Sequence, residues 1–130
     1  MKKILSILLL LTFMLTGCSS EPQHTLTFVE GKQMEIYDHD CVAVFTQYTN
    51  GSSESALPCD YLDVKAYQNG VEIPILVPTG EKTDEYIQCD TSVQSGVTTG
   101  VVWFFQLEDT SPVSVEFSDG QKFEVMLTEE

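Results

Sequence analysis

The chain has 130 residues, a formal net charge of −14 and 42% hydrophobic residues, with its aromatics spread along its length, so it can pack one small domain and not two. Its basic side chains are six lysines and no arginine, too few to neutralise phosphates, which excludes nucleic-acid binding. The same acidity opposes attraction to anionic lipid headgroups and suits cationic or basic-peptide partners.

In chain order, Lys2 and Lys3 come first. The twelve residues Ile4–Leu15 follow, apolar apart from Ser6 and Thr12, and run into Thr16-Gly17-Cys18. A charged start, a short apolar core and small residues at a cleavage point are the layout of a secretory signal. With Cys18 directly after Thr16-Gly17, the segment resembles a bacterial lipoprotein signal. That resemblance implies cleavage after residue 17 and acylation of Cys18, with palmitate or a similar chain, as the new N-terminus. The protein would then be lipid-anchored to the cell membrane on its extracellular face. Twelve residues rise only ~18 Å as a helix, short of the ~30 Å of hydrocarbon that a transmembrane span must cross. The expected organisation is residues 1–17 as signal peptide, 18–24 as lipidated cysteine and polar tether, and 25–130 as the domain. The part after the signal carries four Lys against twenty Asp and Glu.

No helical period of useful length follows. Short apolar-alternating runs separated by Gly, Pro, Asn and Asp predict an all-β antiparallel sandwich. The predicted strands are Thr25–Val29, Met34–Tyr37, Cys41–Thr49, Tyr61–Gln68, Val71–Val77, Tyr86–Val93, Gly100–Leu107, Val113–Ser118 and Gln121–Thr128. A two-residue Asn69-Gly70 turn would set Ala66 opposite Ile73 and Val64 opposite Ile75. Leu62, Val64 and Ala66 would then share one apolar face with Val71, Ile73 and Ile75. For the last hairpin a two-residue turn puts the faces out of phase. A three-residue loop, Ser118-Asp119-Gly120, pairs Val115 with Phe123 and Val113 with Val125, with Gly120 in the left-handed position. Val101, Trp103, Phe105 and Leu107 share a face, which places Trp103 in the core.

Three segments in order, Tyr48-Thr49-Asn50-Gly51-Ser52-Ser53-Glu54, Val64–Glu72 and Phe105–Val113, resemble the small immunoglobulin-like domains of Gram-positive surface lipoproteins that are classed as a domain of unknown function. The resemblance spans Leu26 to Thr128. It implies an immunoglobulin-like sandwich outside the cell, and it carries no activity and no site residues. The chain departs from that pattern in its extra cysteines and in Tyr37-Asp38-His39-Asp40.

Beyond Cys18, Cys41, Cys59 and Cys89 cannot all pair internally. If strands alternate direction in an immunoglobulin-like topology, Cys41 starts its strand at one end of the sandwich, and Cys59 and Cys89 lie towards the other. A Cys59–Cys89 disulfide is therefore expected, with Cys41 a buried thiol, and would add roughly 3–4 kcal/mol by loop closure. The alternative is three buried thiols. Asp38-His39-Asp40-Cys41 has the residue types of a metal site, but neighbours on a strand face opposite ways, so a polar turn is expected and no metal. Glu81, Asp84, Glu85 and Asp90 match no calcium-loop spacing and are expected to be solvated. No nucleophile elbow, zinc-protease or phosphate-loop motif is present, so no catalytic residues, no cofactor and no enzyme are expected.

The function expected from all this is a lipid-anchored binding or interaction module for a protein or peptide. Loops Asn50–Pro58 and Pro78–Glu85 would be its candidate surfaces. The rivals are a passive envelope or phage-exclusion, immunity-type lipoprotein and, more remotely, a secreted hydrolase.

Overall fold

The computed structural model describes residues 23–77 and 85–127; among them every regular element except one helical turn is a strand. Cys18 and the signal lie outside the described residues.

Strands β1 (His24–Ile36) and β2 (His39–Asn50) form a long hairpin. The two strands expected over residues 25–37 are one strand, continuous through a bulge between Phe28 and Glu30. A bulge adds a residue without ending the strand, so the alternation breaks in sequence while the ladder goes on. His24, assigned from sequence to the tether, already pairs with Asn50. The expected polar turn is at Tyr37-Asp38, both with positive φ (51° and 64°), while His39 and Asp40 begin β2.

The chain then crosses to a second sheet through α1 (Pro58–Tyr61), a single turn where a strand beginning at Tyr61 was expected. Pro58 suits a helix start, since its fixed φ is helical and its missing N–H would have had no partner there. Strands β3 (Val64–Gln68) and β4 (Val71–Ile73) are joined by Asn69-Gly70, with φ of 54° and 80°. Ala66 lies opposite Ile73, as the two-residue turn requires.

Beyond Ile73 the expected register is wrong. Ile75 does not face Val64; in β5 (Ile75–Leu76) it pairs with Phe105 of β7 (Thr98–Gln106), in the other sheet. Pro74 has no N–H for a ladder, and its carbonyl accepts instead from the Gln106 N–H at 2.9 Å. The strand thus changes sheets at the proline. Val71, expected to face inward, is 67% exposed. The run expected as a strand over 86–93 shortens to β6 (Tyr86–Gln88), parallel to β7; Val93 then makes an isolated bridge with Ala56. The last hairpin, β8 (Val113–Phe117) and β9 (Lys122–Val125), has the three-residue loop and the pairs Val115–Phe123 and Val113–Val125, with Gly120 at φ 96°.

Two sheets result, ordered β1-β2-β7-β5, with β6 also on β7, and β4-β3-β8-β9. They form an all-β sandwich. Between them lie Val42, Val44, Tyr48, Val101, Trp103 and Phe105 of one sheet and Val64, Ala66, Ile73, Val113, Val115 and Phe117 of the other. Trp103 is in this core, and its indole N–H donates to the Thr46 hydroxyl at 3.0 Å, which in turn donates to the Val101 carbonyl at 2.8 Å. A second buried cluster, Ile36, Cys41, Ala43, Phe45, Val102 and Phe104, lies on the other face of β1, β2 and β7.

Gly31 lets β1 approach β9: a Cβ there would lie 2.5 and 2.8 Å from the Val125 methyl carbons. Gly31→Ala should therefore lower stability to urea unfolding by about 1–3 kcal/mol. Combined with Val125→Ala, it should cost less than the sum of the two single changes. Simple additivity would show that the two strands do not crowd each other here.

Candidate functional site

Asn50 and Gln68, both buried, build the loops at two corners of the sandwich. The Asn50 amide nitrogen donates to the carbonyls of Glu54 and Val93, both at 2.9 Å. Its oxygen accepts from the Ser52 N–H at 3.0 Å and the Ser52 hydroxyl at 2.6 Å. The Gln68 amide nitrogen donates to the carbonyls of Asp109 (3.0 Å) and Ser111 (2.9 Å), while its oxygen accepts from the Glu108 N–H at 2.7 Å. Each side chain satisfies backbone groups of a loop that has no ladder of its own, and each is itself satisfied. Asn50 and Gln68 stand in two of the three segments on which the family resemblance rests, and Gln68 bonds to the third. In those segments Asn50 and Gln68 hold the fold, while Val64, Lys65, Glu72 and Phe105 of the same segments line the cleft described below. The candidate surface Asn50–Pro58 is consequently a tied loop; of the other, residues 78–84 lie outside the described residues.

The Asp109 carboxylate adds to the Gln68 corner. The backbone N–H of Ser111, at 2.8 Å, and the Ser111 side chain hold it below the usual carboxylate range, with help from the Asn69 amide.

The two histidines lie apart, at opposite ends of the β1–β2 hairpin. His24 Nδ1 and the Tyr48 hydroxyl share a hydrogen bond at 2.7 Å, and the imidazole stacks on Tyr61 with centroids 4.0 Å apart and planes 14° apart. His39 is exposed at the start of β2, where its carbonyl accepts a weak bond from Cys41 Sγ at 3.5 Å. Among the described residues no three His, Cys, Asp or Glu side chains gather where they could hold a metal ion. Burial pushes the Cys41 thiol up, and the nearby charge of Asp40 adds to it.

The three cysteines of the domain are free thiols. The disulfide expected between Cys59 and Cys89 is thus not formed here, but these two are the pair that meets. The Cys59 N–H donates to the Cys89 carbonyl at 3.1 Å, and the two side chains are hydrogen-bonded. Burial first, then the charge and hydrogen bond of Cys59 and the charge of Asp90, push the Cys89 thiol up to about 12. Cys41 is in the other cluster, on the far face of its sheet.

Beside Cys59 the sandwich opens. Because β4 ends at Ile73 and Ile75 has gone to the other sheet, Val64 and Lys65 of β3 lack the strand neighbours that a longer hairpin would have supplied. A cleft of about 290 Å³ occupies the gap. Trp103 and Phe105 reach it from β7, Leu62, Val64 and Ile75 give it apolar walls, and Asp63, Lys65 and Glu72 surround it with charge. Apolar walls with a few polar groups are the usual make-up of a binding cavity, although this one is at the small end of the range. Sequence reasoning missed it, because it treated residues 71–77 as one strand closing that edge. Pro74 was the available signal, since a proline inside a strand run marks an edge or a break.

Fold and site define a two-sheet β-sandwich with a small mixed cleft at its open edge. The family model of a domain of unknown function, DUF5067, matches residues 23–119, and the chain belongs to that family. No curated protein matches it.

Gln68→Leu keeps the volume but strands the loop groups. It should cost about 1–3 kcal/mol and speed amide exchange at Glu108 before the strands open. Unchanged exchange would show that the loop holds itself. The Asp109 shift has a definite sign. A carboxylate with a depressed folded pKa contributes stability that is present above its unfolded value and lost as pH falls through the folded one. In an NMR titration the Ser111 amide signal should move with a midpoint below pH 3.8, the ordinary value, and Asp109→Asn should remove that transition.

Proposed function

We propose that this protein is a lipid-anchored, extracellular, immunoglobulin-like lipoprotein that serves as an interaction module. It takes an apolar side chain of a protein or peptide partner into the cleft above Trp103 and Phe105. The observation that carries this reading is the cleft itself. Trp103 and Phe105, each no more than 2% exposed, form its floor beneath a rim bearing both signs of charge. An aromatic floor with a polar rim is the arrangement found where interfaces concentrate binding energy. The surrounding acidity favours a partner with basic flanking residues.

The sheet orders support the immunoglobulin-like part. Labelled A to G, with β4 as C′, β5 as D and β7 as E, they correspond to the ABED and C′CFG sheets of that fold; β6 is an addition. The Leu15-Thr16-Gly17-Cys18 sequence supports the lipid anchor. One acyl chain alone holds a protein only reversibly at a membrane, so stable attachment to so acidic a body requires more than one chain on Cys18.

Cys18→Ala should abolish incorporation of labelled palmitate and release the protein from the membrane fraction; equal labelling of mutant and parent would refute the anchor. The cleft is tested on intact cells with a photo-crosslinking residue at Glu72, on its rim, and a control at the exposed Glu124 on β9. A discrete adduct from position 72, absent at 124 and lost when Ile75→Arg fills the cleft with charge, is the expected result. Identical products from both positions, or none from position 72, would overturn the reading.

A further inference from the structure

Cys59 and Cys89 are two thiols that meet beside the cleft, and the binding role proposed for that cleft makes no use of their chemistry. Cys59 follows Pro58 in α1 and is half-buried at the wall of the cleft. Cys89 follows β6 and is buried in the main core, against which Cys59 packs. The backbone bond from the Cys59 N–H to the Cys89 carbonyl holds the two residues together, so the sulfurs need no large movement to meet.

We propose that Cys59 and Cys89 form a redox-active dithiol that closes to an intramolecular disulfide by exchange with an external organic disulfide. Only Cys59 opens to the surface, so it makes the first attack. Its thiolate displaces one thiolate from the external disulfide, forming a mixed disulfide on Cys59; the released thiolate takes up a proton. The Cys89 sulfur, losing its proton to solvent, then attacks the Cys59 sulfur and releases the second thiol. One external disulfide is reduced to two thiols, and the two protein thiols are oxidised to one disulfide.

The order of events suits the electrostatics. Cys89 is held protonated by burial and by the charge and hydrogen bond of Cys59. Once Cys59 is bonded in the mixed disulfide it no longer contributes that charge or hydrogen bond, and burial remains as the main cause. Closure ties α1, which leads from one sheet to the other, to the connection that feeds β7. The cross-link encloses β3, β4, β5 and β6, and it alters the one cleft wall that carries a thiol.

The test uses the full chain in detergent, first reduced and then freed of reductant. The probe is oxidised glutathione, followed by alkylation and peptide mapping. The expected product is a Cys59–Cys89 linkage with Cys41 left as thiol. It should melt roughly 10 °C above the reduced protein, and dithiothreitol should reverse the shift. Cys89→Ser should trap glutathione on Cys59, whereas Cys59→Ser should leave Cys89 unmodified over the same time. Those two variants also separate chemistry from folding, because each needs only to retain the thermal transition of the reduced parent. Linkage through Cys41, glutathione on Cys89 in the Cys59→Ser protein, or three alkylated thiols after oxidation would each overturn the proposal.

Discussion

The ladder between β2 and β7 is the constraint on which the rest of this protein depends. It runs from Cys41 opposite Gln106 to Thr49 opposite Thr98, and apolar side chains cover both of its faces. One face meets the second sheet, where Trp103 would place a polar N–H in the core if Thr46 did not accept from it. A buried donor left without a partner costs about 1–3 kcal/mol, so this chain of Trp103, Thr46 and the Val101 carbonyl also selects the register in which Val44 faces Trp103. Every other strand of that sheet is attached to this pair: β1 to β2, and β5 and β6 to the free edge of β7.

The proposed binding role rests on that free edge. Two short strands share it, β5 antiparallel and β6 parallel, in place of one long partner. Pro74 ends one hairpin and starts the sheet change, and the gap left beside β3 becomes the cleft. Cys59 lies at the same opening, where α1 meets the end of β6. One residue without an N–H thus accounts for the missing rung and the gap above the aromatic floor. The two thiols come from the neighbouring connections, Cys59 at the opening and Cys89 buried behind it.

The motifs of the family resemblance have a different role. Asn50 and Gln68 lie at strand ends, where a loop needs donors and acceptors that no ladder can supply, and their amides provide both kinds. Their place in ordered, spaced motifs follows from that geometry, because each amide must reach a loop distant in sequence. A shared domain built on such residues shares a scaffold, which by itself assigns no function.

The sequence by itself determined the all-β class, most strand positions and both terminal features of the hairpins. Alternation with period two and turn residues that need positive φ are local properties, so Asn69-Gly70 and Ser118-Asp119-Gly120 could be assigned without any tertiary contact. Strand direction also sufficed to bring Cys59 and Cys89, rather than Cys41, together. Only the tertiary structure decided that Val102, Phe104 and Ala43 are buried as well, for alternation marks a single inward face and cannot reveal a second cover on the other side. It alone decided that Ile75 leaves Val64 for Phe105. The choice between two acceptable ladders depends on which sheet offers the better partners on either side of Pro74, and those partners are thirty residues further along the chain.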